Sequence, residues 1–407
     1  MISQLYLHEP PSQKPIESSE EQWQFTRTLH RQHEEALNNV QGSEGVSFRS
    51  LITSMLPTDR NAVISPTTLL CSLLFLSEVC GRISKKEILR AICCHSAEAC
   101  AIAENIRKCV TGNARLSECH IGNSLWVNNY APIQEENLSA ICKAHQVDAY
   151  MGEMGSDEIN LAIQQWLNTN TGNVLKGHTS IQTDPKTLFE LFTASFFKAK
   201  WHDEFRLTQS KKDYFHVDSN TDVYCYFMNR NEHTLCNCGY QYTAVSKDMY
   251  MDYQMWFILP HKGVPLSALL SNNNVLKLLS NPSCMPLTEY DVAMSIPKFD
   301  IASDLDIKEV LQSMGIKALF SKDSTDASPV TQGVPLMLDK AKHISRVKIT
   351  EDGVEAAAYA EYGMVAAGIA PKLKKLHFKA DRPFLFAITK SNKVPLYVGT
   401  VYNPLEH

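Results

Sequence analysis

Hydrophobic residues follow two different spacings along the chain, and the change comes near its middle. In the first half they recur every three or four residues, as in amphipathic helices. The segments with this spacing are 69–77, 86–92, 133–145 and 157–167. In the second half apolar and polar residues alternate, as in 224–228 (YCYFM) and 254–259 (QMWFIL), which predicts strands bounded by polar loops. Helices mainly first and strands mainly second predict an α+β fold class.

The first 44 residues differ from the rest of the chain. Three prolines within the first 15 residues interrupt the start, and a polar helix candidate follows over 19–39. The helical spacing of a core begins near Ser47. We therefore predict an N-terminal extension over 1–44, partly helical or disordered, and a core domain over 45–407.

One segment near the C-terminus has the composition of a buried strand rather than of a loop. From Val354 to Ala367 it holds only Ala, Val, Tyr, Met, Gly and two Glu, whereas a flexible loop usually carries Pro, Asp, Asn and Ser. Val354, Ala356, Ala358 and Ala360 stand at spacing two, so in an extended chain they share one face. We interpret the segment as a strand held in reserve, exposed to solvent but able to pair within a sheet.

Size and charge narrow the class of protein. The 407 residues are 44% hydrophobic and carry a net charge of -5, with a pI near 6.3. A chain of this size buries a large core. Its acidic balance argues against a nucleic-acid partner. No apolar run reaches the roughly 18 residues that span a bilayer, so we predict no membrane partner.

The twelve cysteines show no small-domain disulfide framework. Reduced, mostly buried thiols predict a cytoplasmic or nuclear compartment. The N-terminus lacks the basic start and apolar middle of a secretory signal, although secretion after removal of a signal stays open. Cys93–Cys94 and Cys236 with Cys238 lack a second ligand pair at zinc spacing, so no metal site is predicted.

The motifs of common enzyme classes are missing from the sequence. There is no G-x-S-x-G, no H-E-x-x-H, no G-x-x-x-x-G-K-[ST] and no G-x-G-x-x-G after a strand. A triad of distant Ser, His and Asp residues stays open without support from any motif. We therefore predict that the chain is not an enzyme and uses no cofactor.

The segment that begins at Glu351 resembles the hinge of the reactive-centre loop in the serpin family. The family pattern of Glu, any residue, Gly, a small residue, Glu and an alanine run stands here as Glu351, Gly353, Val354, Glu355, Ala356, Ala357 and Ala358. His343 precedes Glu351 by eight positions, as in the family. Further stretches resemble family motifs at 61–66 (NAVISP), 192–205 (FTASFFKAKWHDEF), 257–260 (FILP), 296–299 (IPKF), 340–343 (KAKH) and 399–404 (GTVYNP). The resemblance covers roughly 45–407.

The resemblance implies a serpin fold and a mode of action. The fold has a large central, mostly antiparallel sheet, additional sheets, about nine helices and an exposed reactive-centre loop at about 351–375. The activity is suicide inhibition: a serine protease forms an acyl-enzyme with the loop, and the cleaved loop inserts into the central sheet before hydrolysis is complete. The implied partner is the target protease. The implied state is a monomer that can polymerise by loop-sheet insertion.

The resemblance also assigns residues to the machinery of insertion. Gly353 lets the backbone turn at the hinge. Ser65, Thr68, Thr193 and His343 match the hydrogen-bonded cluster called the shutter, which parts to admit the new strand. Thr68 and Thr193 replace the usual Ser and Asn, and we expect a hydroxyl to bond His343. Trp201 matches the breach, where the strand first enters.

The family spacing also places the reactive bond. Counting seventeen residues from Glu351 puts the bond between Ala367 and Gly368. A small apolar residue before the cut suits the shallow pocket of elastase-like or subtilisin-like proteases. The residues that stay open as alternatives before the cut are Ala366, Met364 and Ile369.

Two other functions stay open beside serine-protease inhibition. The first is a non-inhibitory serpin that acts as a binding, storage or chaperone protein. The second is cross-class inhibition of a cysteine protease, since a thiolate also forms an acyl-enzyme. An alanine run free of charged residues favours inhibition.

Overall fold

The computed structural model describes residues 2–6, 27–29, 31–36, 48–95, 99–114, 116–171, 181–321, 329–331, 338, 341–354 and 373–406. The chain forms two compact units, each assembled from three stretches of sequence. The first unit contains Met1–Met55, Ile64–Phe196 and Ser303–Ser345. The second contains Leu56–Val63, Phe197–Ala302 and Arg346–His407.

Helices dominate the first unit. Its α-helices within the described residues are α1 (Phe48–Met55), α2 (Pro66–Val79), α3 (Arg82–Ala91), α4 (Ala99–Val110), α5 (Glu135–His145), α6 (Asp157–Asn170) and α9 (Lys308–Ser313). The second unit contributes α7 (Leu266–Leu270) and α8 (Asn273–Ser280). The four helical segments expected from the apolar spacing correspond to α2, α3, α5 and α6. Within the described ranges, no helix is long and apolar enough to cross a membrane.

Helix α2 is the core helix of the first unit, and every residue in it except Glu78 is buried. Its start is well defined, because the Ser65 hydroxyl accepts a hydrogen bond from the Thr68 backbone N–H at 3.3 Å. Pro66 follows at the first helical position, where its missing N–H costs no hydrogen bond. This capped, buried helix places Ser65 and Thr68 in the interior.

The first unit also contains β1 (Ser3–Tyr6), β3 (Gly112–Ala114), β4 (Ser117–Asn128), β5 (Val147–Gly152) and the start of β6 (Phe189–Lys200). Hydrogen-bonded neighbours follow the order β1-β5-β4-β6, with β3 paired to β4. Strand β5 runs antiparallel to β1 and parallel to β4.

The N-terminal segment packs against this part of the sheet. Ser3 pairs with Met151 on β5, and Ile2 packs on the core cluster of Trp126 and Ile159. Helical residues 27–29 and 31–36 lie within the predicted helix. The expectation of a partly helical or disordered extension did not include strand β1, because four residues carry too little periodicity to predict a strand.

The second unit is built mainly of strands. They are β2 (Ala62–Ile64), β7 (Lys211–His216), β8 (Asp222–Cys238), β9 (Tyr242–Met249), β10 (Tyr253–Pro260), β11 (Thr288–Pro297), β15 (Lys375–Lys379), β16 (Phe384–Lys390) and β17 (Val394–Val401). Their order is β15-β11-β8-β9-β10-β16-β17-β2, with β7 paired to β8. Phe384 anchors the core, since its ring centre lies 6.3 Å from that of Phe257 and 6.1 Å from that of Phe299.

Strands β6, β12 (Phe299–Asp306) and β13 (Lys342–Ile349) each include residues of both units. Hydrogen-bonded neighbours among these strands follow the order β6-β14-β13-β12, where β14 is the two-residue strand Gly353–Val354. The Arg346 guanidinium on β13 donates two hydrogen bonds of 2.7 Å to the Asp300 carboxylate on β12. This bidentate pair fixes the position of β13 beside the hinge.

Candidate functional site

The root of the predicted loop is already part of a sheet. Val354 pairs with Ala199 on β6 and with Ile349 on β13, so β14 lies between these two strands. Only 1% of the Val354 surface is exposed. Two of the predicted hinge residues, Gly353 and Val354, are therefore already paired in the sheet.

Gly353 fits this place because it has no side chain. A Cβ built on Gly353 would overlap the carbonyl oxygen of Ala199 and lie 2.8 Å from the Cα of Lys200. Backbone atoms cannot move aside as a flexible side chain can. The hinge glycine thus permits close approach of two strands, in addition to the backbone freedom expected from the sequence.

A tight turn joins β13 to β14. The Thr350 backbone N–H donates to the Gly353 carbonyl oxygen at 2.9 Å. Inside the turn, the Glu351 carbonyl accepts from the Phe205 N–H at 3.0 Å and the Asp352 carbonyl accepts from the Trp201 N–H at 3.1 Å. The backbone groups of this turn are therefore satisfied by hydrogen bonds to neighbouring residues.

The Glu351 side chain is buried in this turn and holds two partners. Its Oε1 lies 2.6 Å from the Lys298 Nζ and accepts a 2.7 Å hydrogen bond from the Ser210 hydroxyl. Burial alone would raise the pKa of the Glu351 carboxyl, but the hydrogen bonds from Lys298 and Ser210 outweigh it and lower the pKa below its usual value. The carboxylate is therefore charged at neutral pH and fixes the hinge in place.

Trp201 is fully buried and binds the same turn. Its indole N–H donates to the Thr350 carbonyl oxygen at 2.9 Å. Its ring meets that of Phe205 edge to face, with 6.0 Å between ring centres. The Lys247 ammonium lies 4.6 Å from the Phe205 ring centre and pairs with Glu232 at 2.6 Å. Burial lowers the pKa of Lys247, and the attraction of Glu232 opposes this shift.

A second polar cluster lies in the first unit and contains three of the four predicted shutter residues. The His343 Nε2 accepts a 2.9 Å hydrogen bond from the Ser65 backbone N–H and lies 2.8 Å from the Ser345 hydroxyl. Since a backbone N–H can only donate, Nε2 is unprotonated and Nδ1 carries the proton. Burial lowers the pKa of His343 to about 3, so the ring is neutral.

Thr68 and Thr193 do not bond His343 in this structure. The Thr68 hydroxyl lies 2.7 Å from the Ser65 hydroxyl, so its contact with the histidine is indirect. Thr193 is half-buried on β6 and makes no side-chain hydrogen bond to Ser65, Thr68 or His343 within the described part of the chain. The expected direct bond from a threonine is replaced by the Ser65 N–H and the Ser345 hydroxyl.

Sequence reasoning missed several members of both clusters. Lys298 stands in the IPKF motif, which was recognised without a role for the lysine. Ser345 stands two residues after His343, so the strand period could have placed both on one face. Ser210 and Lys247 carry no local signal, because their partners are more than ten residues away.

Part of the predicted site lies outside the described residues. This holds for the hinge residues Glu355, Ala356, Ala357 and Ala358 and for the reactive bond Ala367–Gly368. Their roles stay predictions. Among the described residues there is no group of three or more side chains able to hold a metal ion.

Comparison with known proteins identifies the class to which a chain with this fold belongs. The family model described as serpin (serine protease inhibitor) matches residues 47–404. The chain therefore belongs to the serpin family. Membership supports serine protease inhibition in general.

Curated relatives agree with this assignment. The chain is 30% identical over 307 residues to an alpha-1-antitrypsin-like protein of Tamias sibiricus, with 70% of this chain and 68% of the relative covered. It is 29% identical over 295 residues to alpha-1-antiproteinase of Rattus norvegicus, with the same coverage.

Solved structures show the same fold. The native state of the thermophilic serpin tengpin matches with a TM-score of 0.77 at 20% identity, covering 98% of this chain and 97% of tengpin. Thyroxine-binding globulin in complex with thyroxine matches with a TM-score of 0.74 at 21% identity, covering 94% of this chain and all of the globulin. The serpin recognition and the α+β fold class predicted from the sequence are confirmed.

Proposed function

We propose that this serpin is a suicide-substrate inhibitor of serine proteases with elastase-like or subtilisin-like specificity. The observation that carries the proposal is the pairing of β14 with both β6 and β13, because it supplies a nucleus for loop insertion. Extension of β14 by further residues of the loop requires no new entry point.

The side chains that loop insertion would bury are small and apolar. Val354 is buried opposite Ala199, and at strand spacing Ala356, Ala358 and Ala360 continue the same face. Small apolar side chains enter a packed layer without the desolvation cost of polar or charged groups. This pattern supports an insertable loop rather than a permanently exposed one.

Insertion displaces the attached protease over a long distance. A strand of about 14 residues from Val354 to Ala367 spans roughly 48 Å at about 3.4 Å per residue. The added strand pairing and burial drive the movement. The acyl-enzyme is carried along, and hydrolysis is not completed.

The residue before the cut sets the target class. Ala367 fits a shallow specificity pocket, whereas a trypsin-like pocket requires Arg or Lys. The alternatives in the same stretch, Ala366, Met364 and Ile369, are also apolar. None of these registers supplies the Arg or Lys that trypsin-like specificity requires.

The decisive experiment mixes the full chain with an elastase-like, a subtilisin-like, a trypsin-like and a papain-like protease. Denaturing gels and mass spectrometry of the released C-terminal peptide are the readouts. We expect an SDS-stable complex with the elastase-like or subtilisin-like enzyme and a peptide beginning at Gly368. Val354→Asp should be cleaved at the same bond without forming the complex, because its charge cannot be buried between β6 and β13.

Val354→Thr is the matched control, since it keeps the shape of valine and should still form some complex. Cleavage with every protease left active and no gain in heat stability would support a non-inhibitory binding, storage or chaperone protein instead. A stable complex with the papain-like enzyme alone would support cysteine-protease inhibition.

All twelve cysteines are free thiols in the structure. This agrees with the proposed cytoplasmic or nuclear compartment, which stays a prediction. One relative, 30% identical over 297 residues, is named as a hibernation-specific plasma protein of Tamias sibiricus. Cell fractionation with an antibody to the chain distinguishes a cytoplasmic or nuclear location from secretion.

A further inference from the structure

A polar cavity of about 660 Å³ opens to solvent in the second unit. Its walls come from the segment that precedes β7 and from β7, β8 and β11. Residues from these walls include Arg206, Gln209, Lys211, Asn231 and Ser295. Its volume lies within the range of about 300–1,000 Å³ that is usual for small-molecule sites.

Two cations in this cavity have no ionic partner among the residues that the structure describes. The side chains of Arg206 and Lys211 are exposed and form no ion pair or hydrogen bond with any described residue. The Asn231 side-chain amide is likewise exposed and unbonded within the described ranges. Three polar side chains with free hydrogen-bond donors therefore line one concave surface.

The other charged groups that line the cavity already have partners. Arg230 donates to the Glu204 carbonyl oxygen at 2.7 Å and to the Asp203 carboxylate at 2.8 Å. The carboxylate of Asp213 accepts from the Lys379 Nζ at 2.6 Å. These neutralised pairs leave the positive charges of Arg206 and Lys211 uncompensated by the described side chains.

We propose that this cavity binds a small phosphorylated or sulfated polar molecule, with its oxyanion held by Arg206 and Lys211. The planar guanidinium donates two parallel hydrogen bonds to such an oxyanion, and the ammonium adds a point charge. The Asn231 amide and the Ser295 hydroxyl can form hydrogen bonds with the hydroxyl groups of a sugar or polyol. Phe227 is the one aromatic side chain among the described residues that line this cavity, so the walls favour a polar ligand.

The cavity wall is continuous with the hinge. Ser210, which stands between Gln209 and Lys211, donates its hydroxyl hydrogen bond to Glu351 at 2.7 Å. The site is therefore one residue from a side chain that holds the root of the loop. Binding itself requires neither loop cleavage nor insertion, so the inference is independent of the proposed inhibition.

The test is titration of the full chain with glucose 6-phosphate, glucose, inorganic phosphate and inorganic sulfate at low ionic strength. Isothermal calorimetry and saturation-transfer NMR report binding. We expect glucose 6-phosphate to bind and glucose to fail. The double variant Arg206→Gln with Lys211→Gln should weaken binding at least about tenfold, because two charge-assisted contacts are lost.

The matched control is Arg90→Gln with Lys262→Gln, which removes the same charge from exposed positions outside the cavity. It should leave the affinity unchanged. Inorganic phosphate or sulfate binding as tightly as glucose 6-phosphate would support the oxyanion site and identify the free ion as its ligand. Absence of binding by every oxyanion, or equal weakening in the control variant, would overturn the proposal.

Discussion

At the scale of single residues, Gly353 controls whether the loop root can pair. Replacing it with alanine forces a Cβ against the carbonyl oxygen of Ala199. We expect Gly353→Ala to destabilise the native protein by about 1–3 kcal/mol. We also expect it to shift the outcome with a protease from stable complex toward cleaved inhibitor. Urea unfolding and the stoichiometry of inhibition measure the two effects.

Val354→Ala serves as the control for Gly353→Ala. It removes two methyl groups and adds no clash, so it should retain the complex while losing some stability. If Gly353→Ala gave the same stoichiometry as the natural chain, close packing at the hinge would have no part in insertion.

The Glu351 carboxylate gives the hinge a dependence on pH. Its pKa is lowered in the folded protein, so its contribution is present above the unfolded value near 4.5 and is lost as the pH falls through the folded value. We expect Glu351→Gln to lower the free energy of unfolding by about 1–3 kcal/mol at pH 7. The difference from the natural chain should narrow below pH 4.5, as measured by urea unfolding.

A double-mutant cycle isolates the ion pair of Glu351. Lys298→Met removes the other partner, and the double variant should be less destabilised than the sum of the single variants. Strict additivity would mean that the 2.6 Å contact contributes nothing to stability.

The buried His343 makes the stability of the protein depend on pH. Its pKa is about 3 in the folded chain and 6.5 in the reference state, so the unfolded chain takes up a proton first as the pH falls. Stability should therefore decline between pH 6.5 and 3 by about 1.4 kcal/mol per pH unit from this residue. His145, whose pKa burial lowers to about 4, adds a similar contribution.

The His343→Gln variant tests this contribution. Its unfolding free energy should fall less steeply than that of the natural chain between pH 6.5 and 3, while the slope from His145 should remain. The exposed His233 is the control, and His233→Gln should keep the natural slope. An unchanged slope in His343→Gln would contradict the neutral, buried assignment.

At the scale of elements, β1 protects an edge of the sheet in the first unit. Without Ser3–Tyr6, the backbone groups of β5 that pair with β1 would face solvent. Deletion of residues 1–6 should lower the melting temperature by about 2–4 °C. It should also accelerate amide exchange over 147–152, as measured by mass spectrometry.

The control for this deletion is Ser3→Ala with Gln4→Ala. Both side chains are exposed, so the change keeps the backbone pairing of β1. Faster exchange at β5 in the control as well as the deletion would assign the effect to side chains rather than to strand pairing.

At the scale of the whole molecule, the loop should respond to cleavage by becoming part of the sheet. We expect a chain cut once between Ala367 and Gly368 to melt at a higher temperature than the intact chain, because insertion adds strand pairing and apolar burial. Differential scanning calorimetry of intact and cut protein measures the change. A decrease in melting temperature would mean that the cut loop stays outside.

The same insertion between molecules predicts loop-sheet polymers. Mild heating of the purified chain should produce a ladder of oligomers on native gels. Val354→Asp should reduce the ladder, since a charge buried at the start of the inserted strand costs free energy. Equal polymerisation of the Val354→Asp and Val354→Thr variants would point to aggregation by another route.

Much of the fold and part of the site could be predicted from the sequence. Helices α2, α3, α5 and α6 follow from apolar residues at helical spacing, and the alternating runs predict parts of β8 and β10. Gly353, Trp201, Glu351 and His343 were found because the family pattern fixes their order along the chain. The four-residue strand β1 was missed because its stability comes from pairing with β5, not from its own composition.

By itself, the sequence determined helices α2, α3, α5 and α6 and parts of strands β8 and β10, that residues 354–367 suit a buried strand, and that the chain resembles serpins. These properties depend on residue type and on spacing within a few positions. Only the tertiary structure decided that Ser210 and Lys298 hold Glu351 and that Ser345 approaches His343. It also decided that Arg206 and Lys211 share a cavity without counter-charges from the described residues. The physical reason is that packing of distant elements, not local periodicity, sets which polar groups meet.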